Sequence, residues 1–314
     1  MPREEARMTP LFKKVAVVGC GLIGSSIVRG VREYGLAETI AIADANDAAR
    51  AAIAELKLGD SVHADPREAV QGADLVVVAT PPAAIGAVAE TIAEALAPGA
   101  ILTDVGSVKE SVGQAMAAAA PLGVHVIPGH PISGTERSGP EAGFSTLFKG
   151  RWAILCPQPS EDAAYLAAVE RLAQFWRGLG SQVELMEARH HDLVLAVTSH
   201  LPHLIAYNIV GTAADLEEVT QAEVIKFSAG GFRDFTRIAA SDPVMWRDVF
   251  MLNKDAVLEI LGRFNEDLQA LSRAIRWGEA DKLQELFTRT RDIRRSVIAV
   301  GQESAEPNFG RDRS

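Results

Sequence analysis

Residues 13–26 read KKVAVVGCGLIGSS, and this stretch decides the fold. Val15–Val18 form a short apolar run that stops at Gly19. From Leu22 onward apolar residues fall at helical spacing, at Leu22, Ile27 and Val31. Between run and helix, Gly19-Cys20-Gly21-Leu22-Ile23-Gly24 matches the Gly-x-Gly-x-x-Gly pattern in the context it requires. Gly19 permits the tight turn, Gly21 lets a pyrophosphate approach the backbone, and Gly24 lets the helix pack close to the sheet. Amides at the helix start then meet the phosphate charge. A second run, Thr39–Ala43, ends at Asp44. A carboxylate there accepts hydrogen bonds from ribose hydroxyls and repels a 2′-phosphate, and neither Ala45 nor Asn46 offers an Arg to hold one. The stretch therefore predicts NAD rather than NADP. Cys20 reads as a small filler.

Outward from this unit the alternation continues. Asp74–Ala79 is a continuous apolar run bounded by Gly72 and by Thr80-Pro81-Pro82, which suits a strand buried on both faces. Helical spacing is expected over 46–57, 83–96 and from about 107, with strands at 100–104 and 124–127. Repeated strand–helix units imply a parallel, doubly wound sheet. Strands are also expected at 152–156 and 182–186, with a helix at 161–178 between them. After 186 no strand signal returns. Segment 188–213 reads as a helix kinked by Pro202, 215–228 as another, and Ser241-Asp242-Pro243 as a helix start. Val257, Leu261, Phe264, Leu268, Leu271 and Ile275 then recur at heptad spacing. Gly278 breaks the pattern, and Leu283, Leu286, Ile293, Val297 and Val300 continue it. Such a helical hairpin buries its stripe either internally or against a second copy. The expected organisation is an α/β Rossmann-type domain, residues 1–186, followed by an all-α dimerisation domain, residues 187–314. The tail from 301 is expected to lack order.

The 314 residues carry a net charge of −10, which argues against nucleic acid or an anionic membrane as partner. Two cysteines, Cys20 and Cys156, support neither a disulfide framework nor a CxxC metal site and fit a reducing compartment. No uninterrupted apolar run nears ~18 residues, so no membrane span is expected. The N-terminus lacks the apolar core of a signal peptide. A cytoplasmic location is the expectation.

Three polar segments interrupt the apolar background. Asp104-Val105-Gly106-Ser107-Val108-Lys109 ends a strand, where ligands bind in this architecture, and Ser107 could cap the next helix, serve the site, or both. Gly129-His130-Pro131 follows another strand. A His there, in a loop beside a nicotinamide, can accept a hydroxyl proton near pH 7. Thr198-Ser199-His200-Leu201-Pro202-His203 sets two His at i, i+3, a spacing that favours substrate orientation over zinc. Beyond the Gly230-Gly231 break, Arg233 and Arg237 are forks for a carboxylate.

GCGLIGSS (19–26), DVGSVK (104–109), GHPISGTERSG (129–139), TSHLPH (198–203) and GGFRDFTRIAASDPVMWRD (230–248), in this order, resemble the prephenate/arogenate (cyclohexadienyl) dehydrogenases of tyrosine biosynthesis. The resemblance spans about Lys13 to Val300. It implies oxidative decarboxylation of prephenate, arogenate or both, with hydride passing to NAD⁺. It further implies that His130 takes the ring hydroxyl's proton and that Ser107 orients hydroxyl, His130 and nicotinamide. Arg237 would pair with a substrate carboxylate, and His203 and His200 would help hold the substrate. Thr135, Glu136, Arg233, Asp234 and Trp246 would frame the pocket. NAD contacts would come from Gly19, Gly21, Leu22, Ile23, Gly24, Asp44, Thr80, Pro81 and Ser107. The resemblance also implies a homodimer. With the glycine loop at residue 19 and no βαββαβ pattern after 300, neither a fused mutase nor a C-terminal ACT domain is expected. Tyrosine inhibition would then act at the active site. Rival readings are a 3-hydroxyacid-type dehydrogenase and a non-catalytic NAD sensor.

Overall fold

The computed structural model describes residues 10–134, 137–215 and 230–299. Six parallel strands form the main sheet: β1 (Phe12–Val18), β2 (Ala37–Ala43), β3 (Ser61–His63), β4 (Leu75–Val78), β5 (Ile101–Asp104) and β6 (His125–Val126). Their order is β3-β2-β1-β4-β5-β6. The crossovers are α1 (Leu22–Tyr34), α2 (Asp47–Glu55), α3 (Pro66–Val70), α4 (Ile85–Ile92) and α5 (Glu110–Ala119). Strand order reverses between β1 and β4, which opens a ligand crevice at their carboxyl ends.

Alternation of side chains explains why Val15–Val18 of β1 and all of β4 are apolar. Val15, Val17, Leu75 and Val77 enter one core cluster with Ile27, Phe175 and Trp176. Ala16, Val18, Val76 and Val78 enter a second with Ile85, Ala89 and Met116. Each face of the sheet is thus covered, and burying a Val fully contributes roughly 1.5–3 kcal/mol. The short β3 and α3 were not foreseen in the sequence, because three and five residues carry too little periodicity.

Three further strands depart from the expected single sheet. β7 (Gly129–Pro131), β8 (Trp152–Leu155) and β9 (Gln182–Leu185) form a separate sheet in that order, with α6 (Ala163–Gly178) between the last two. β7 runs antiparallel to β8, pairing His130 with Ile154, and β8 runs parallel to β9. His130 therefore sits on a strand, not in the loop expected of it.

The remaining described elements are helical. α7 (Ala188–Leu195) passes through a π-turn at Ala196–His200 into α8 (Leu201–Ala214). Pro202, at the start of α8, has no N–H to donate, and Leu201 N–H reaches back five residues to Ala196 O. The foreseen kink is thus a widened turn. By length and composition alone, Ala188–Ala214 could cross a membrane, although polar residues interrupt its apolar runs. The stretch carries buried His191, Asp192 and His200, each bonded to a residue elsewhere in the chain. Val197, Ile209 and Val210 leave apolar surface exposed on the single chain.

α9 (Gly230–Thr236) and α10 (Pro243–Leu252) follow, the latter capped by Asp242, whose side chain accepts Met245 N–H at 2.8 Å. The heptad helix does not run on from 243. Asn253 interrupts it before α11 (Lys254–Arg276), and α12 (Ala280–Ala299) completes the hairpin after Gly278 in left-handed backbone. The chain divides into two compact units, one running to Val257 and one from Leu258. The helices from α7 to α10 share the first unit with the sheets, so compactness and the change of texture at 186 mark different points. In the second unit Leu261, Phe264, Leu271, Leu283 and Leu286 are half-buried, whereas Leu268, Ile275, Trp277, Phe287 and Ile293 are exposed. The helix expected at 215–228, Thr135, Glu136 and the tail lie outside the described residues.

Candidate active site

At the switch point the loops after β1 and β4 touch. Gly19 has φ +89°, and a Cβ on it would fall 2.7 Å from Ala79 O, beside Thr80. Gly21 faces open space, and a Cβ at Gly24 would collide with the Gly19 carbonyl. Only glycine fits the outer two positions, and the open one leaves room for a phosphate. Leu22 and Ile23 open α1, half-buried. Asp44 directly follows β2, and its Oδ2 accepts Cys20 N–H at 2.9 Å while Oδ1 accepts Asn46 N–H at 2.9 Å. The glycine loop is thereby tied to the carboxylate that follows β2. Arg50 lies near but is engaged, donating to Asp44 O at 2.7 Å and to the Asp47 carboxylate. These residues fit a dinucleotide. Thr80 and exposed Pro81 border the same crevice, and the buried Thr80 hydroxyl has no protein partner. Cys20 is buried and its thiol is pushed up to about 12, first by burial and then by Asp44, so it stays inert.

The catalytic side begins at the end of β5. Asp104 is fully buried and accepts Gly106 N–H at 2.8 Å, Gly129 N–H at 3.1 Å and the Lys109 ammonium. Lys109, also fully buried, donates to Gly129 O at 2.8 Å. This pair locks the loop carrying half-buried Ser107 to the strand carrying His130. Ser107 is not the cap of α5, as it could have been. The helix begins at Glu110, and its first amides are capped from α7, since Asp192 accepts Lys109 N–H at 2.7 Å and Glu110 N–H at 2.9 Å.

Asp192 also accepts His191 Nδ1–H at 2.8 Å, and His191 Nε2 lies 2.9 Å from His130 Nδ1. A carboxylate can only accept, so His191 carries its proton on Nδ1. Its bare Nε2 then accepts from His130 Nδ1–H, which leaves His130 Nε2 as a free base. Burial first, then His191, Lys109 and His200, hold His130 well below the usual imidazole range. His191 is likewise lowered by burial, against the opposing pull of Asp192. Both rings are neutral at pH 7.

A second group adjoins the first through Asn253. Its Nδ2 donates to Asp192 O at 2.9 Å and to His200 Nδ1 at 3.0 Å. His200 must then be protonated on Nε2, a buried donor with no protein partner. Burial brings its pKa down to about 4. His203 donates Nδ1–H to Ser199 O at 2.9 Å and stacks on Trp246, with ring centroids 3.6 Å apart and planes at 22°. Its pKa is lowered by burial first and then by the charge of Arg237, against the opposing pull of the Ser199 carbonyl. The Trp246 indole N–H is buried without a partner. Arg233, Asp234 and Arg237 have exposed side chains.

The structure thus gathers His130, His200, His203 and Trp246 with Ser107 at the neighbouring strand end. Sequence reading missed His191, Asp192 and Asn253, and assigned no role to Asp104 or Lys109. The available signal was a polar His190-His191-Asp192 cluster opening an otherwise apolar helix.

Residues 27–185 match the nucleotide-binding domain of prephenate dehydrogenase, and 187–289 match its dimerization domain. A cyclohexadienyl dehydrogenase of Zymomonas mobilis is 40% identical over 284 residues, covering 90% of this chain and 96% of that one. The prephenate dehydrogenase of A. aeolicus, solved with hydroxyphenyl propionate and NAD⁺, superposes with TM-score 0.83 at 31% identity over 91% of this chain and 98% of that one. An arogenate dehydrogenase of Synechocystis gives 0.77 at 26% identity, covering 90% and 99%. On sequence and fold together, the chain belongs to the prephenate dehydrogenase family.

Proposed function

We propose that the chain is an NAD-dependent dehydrogenase that oxidatively decarboxylates prephenate, arogenate or both, in tyrosine biosynthesis. The observation that carries this reading is His130, a neutral imidazole with its Nε2 lone pair free. When bound, NAD⁺ takes up the hydride from the ring carbon bearing the hydroxyl. His130 Nε2 accepts that hydroxyl's proton, and the ring carboxylate leaves as CO₂. The bonding pair it leaves behind makes the ring aromatic, and the proton returns from His130 to the phenolate oxygen. Aromatisation drives the reaction, so the protein supplies orientation and a proton acceptor. Ser107 orients the hydroxyl. His200 offers its unpartnered Nε2–H to a substrate oxygen, Arg237 pairs with a carboxylate, and His203, held by Trp246, lines the pocket. Arg233, Thr135 and Glu136 frame it. Gly19, Gly21, Leu22, Ile23, Gly24, Asp44, Thr80 and Pro81 hold the cofactor.

The functional division falls near residue 186, where the two family matches meet. The exposed apolar residues of α11 and α12 belong to the seam of a homodimer, the enzyme acts in the cytoplasm, and tyrosine inhibits by competing at the active site. Steady-state kcat/KM for prephenate and arogenate, each with NAD⁺ and NADP⁺, tests the reading. Turnover of at least one substrate with NAD⁺ preferred is expected, and turnover of neither would refute it.

A further inference from the structure

We propose that His191 and Asp192 are positioning residues for His130: Asp192 fixes the tautomer of His191, and His191 holds His130 with Nε2 bare toward the substrate. The inference rests on the dehydrogenase reading of His130 and adds the machinery behind it.

Three facts of geometry carry it. The chain His130 Nδ1 to His191 Nε2 at 2.9 Å to Asp192 Oδ1 at 2.8 Å is continuous. Its far end is pinned, because both oxygens of Asp192 also accept amides from the first turn of α5. Finally, His191 and Asp192 are shielded from water, so no solvent proton scrambles the order of donors. A neutral imidazole free in water favours Nε2–H, the form in which His130 would present a donor and could not serve as base. The chain enforces the opposite form.

The arrangement also handles the charge. The substrate O–H bond breaks with its electron pair left on oxygen, and a new N–H bond forms at His130 Nε2. His130 is then a cation facing the Lys109 ammonium from the β5–α5 loop, which opposes positive charge there, and the neutral His200 of the π-turn. Its Nδ1 proton can pass to His191 Nε2, which leaves His130 neutral again and sets the positive charge on His191, against Asp192 and facing Asp104 as well as Lys109. One proton moves at each step and the total charge is unchanged.

¹⁵N NMR of the histidine side chains in the full chain with NADH is the direct test. Neutral His130 should show Nδ1–H and a bare Nε2, whatever substrate is turned over. An Nε2–H form would overturn the proposal while leaving a prephenate- or arogenate-active enzyme intact. Two variants add a kinetic arm, with NADH binding as the control for folding. His191→Leu removes the acceptor and should lower kcat by ~10–100-fold with KM within about 3-fold, the range of a misheld general base. His191→Gln offers an amide oxygen to His130 Nδ1–H and should return kcat to within about 5-fold of the unaltered chain. Equal losses in both variants, or no loss in His191→Leu, would overturn it.

Discussion

Asp104 and Asp192 are both buried carboxylates that accept backbone amides, yet they are neutralised by different means. Asp104 faces a full cation, the Lys109 ammonium, in a fully buried ion pair. Asp192 is held by two amides at the start of α5 and by a neutral imidazole, and among the described residues no ammonium or guanidinium is bonded to it. The first arrangement is a clamp: it fastens two strand ends and has no reason to change state. The second is a spring for a proton, because a carboxylate balanced by dipoles can still gain from a neighbouring imidazole that becomes positive. Charge pairing builds the frame, and dipole pairing leaves the site able to respond.

This contrast can be broken most directly at the clamp. Asp104→Asn should cost about 3–5 kcal/mol in chemical denaturation, because it strands a buried ammonium. Asp104→Asn with Lys109→Met removes the stranded ammonium but keeps an acceptor for only one of the Gly106 and Gly129 amides, and should recover part of that loss. A single variant within 1 kcal/mol of the unaltered chain would erase the distinction.

Acid should act on the other side. Burial depresses the folded pKa values of His130, His191 and His200 below the unfolded 6.5. The unfolded chain then binds more protons as pH falls below about 6.5, so stability is full above that pH and declines toward pH 4. His200 alone, at about 4, accounts for about 3 kcal/mol of the decline. Denaturation midpoints between pH 7 and 4 measure it, and a flat profile would mean that these rings are already solvated. The acid limb of kcat/KM should accordingly lie below pH 6.5.

Replacing the base itself, His130→Asn, should lower kcat by ~10²-fold with little change in denaturation midpoint. An unchanged kcat would remove His130 from the chemistry. Asp192→Asn should cost less stability than Asp104→Asn, about 1–3 kcal/mol, since it leaves one α5 amide facing an –NH₂ and strands no charge. Equal costs at both positions would show that the two carboxylates do the same work.

The smallest effect belongs to a third carboxylate. Asp44 is likewise held by amides, those of Cys20 and Asn46, but it is half-exposed. Asp44→Ser should shift the ratio of kcat/KM for NAD⁺ over NADP⁺ by ~10-fold toward NADP⁺. An unchanged ratio would mean that Asp44 only braces the loop.

These three carboxylates also explain what could be read in advance. Asp44 was legible because its partners are close along the chain and its strand and glycine loop carry strong local patterns. β1 and β4 were legible for the same reason, and His130 stood out between Gly129 and Pro131. Asp192 was not, because its meaning lies in amides 82 and 83 residues away and in a ring 61 away from its neighbour His191. The same separation misplaced the start of α5, which takes its cap from α7 rather than from Ser107. Asn253 divided a helix that looked continuous from its start at 241–243 into the heptad, since its value lies in bonds to Asp192 and His200 that no periodicity reports. Second-sheet membership of β7 was hidden because three residues cannot announce an antiparallel partner.

The π-turn before Pro202 has a consequence in helical phase. At about 100° per residue, the nine steps from His191 to His200 would set the two rings about half a turn apart on a regular helix. The wide turn, in which Leu201 N–H reaches back to Ala196 O, absorbs one step and leaves them about 80° apart. One flank of the helix can therefore present both imidazoles, one to His130 and one to Asn253. A deletion of one residue within 196–199 would preserve that phase and straighten the rod, whereas a substitution that merely regularised the bonding would rotate His200 out of alignment.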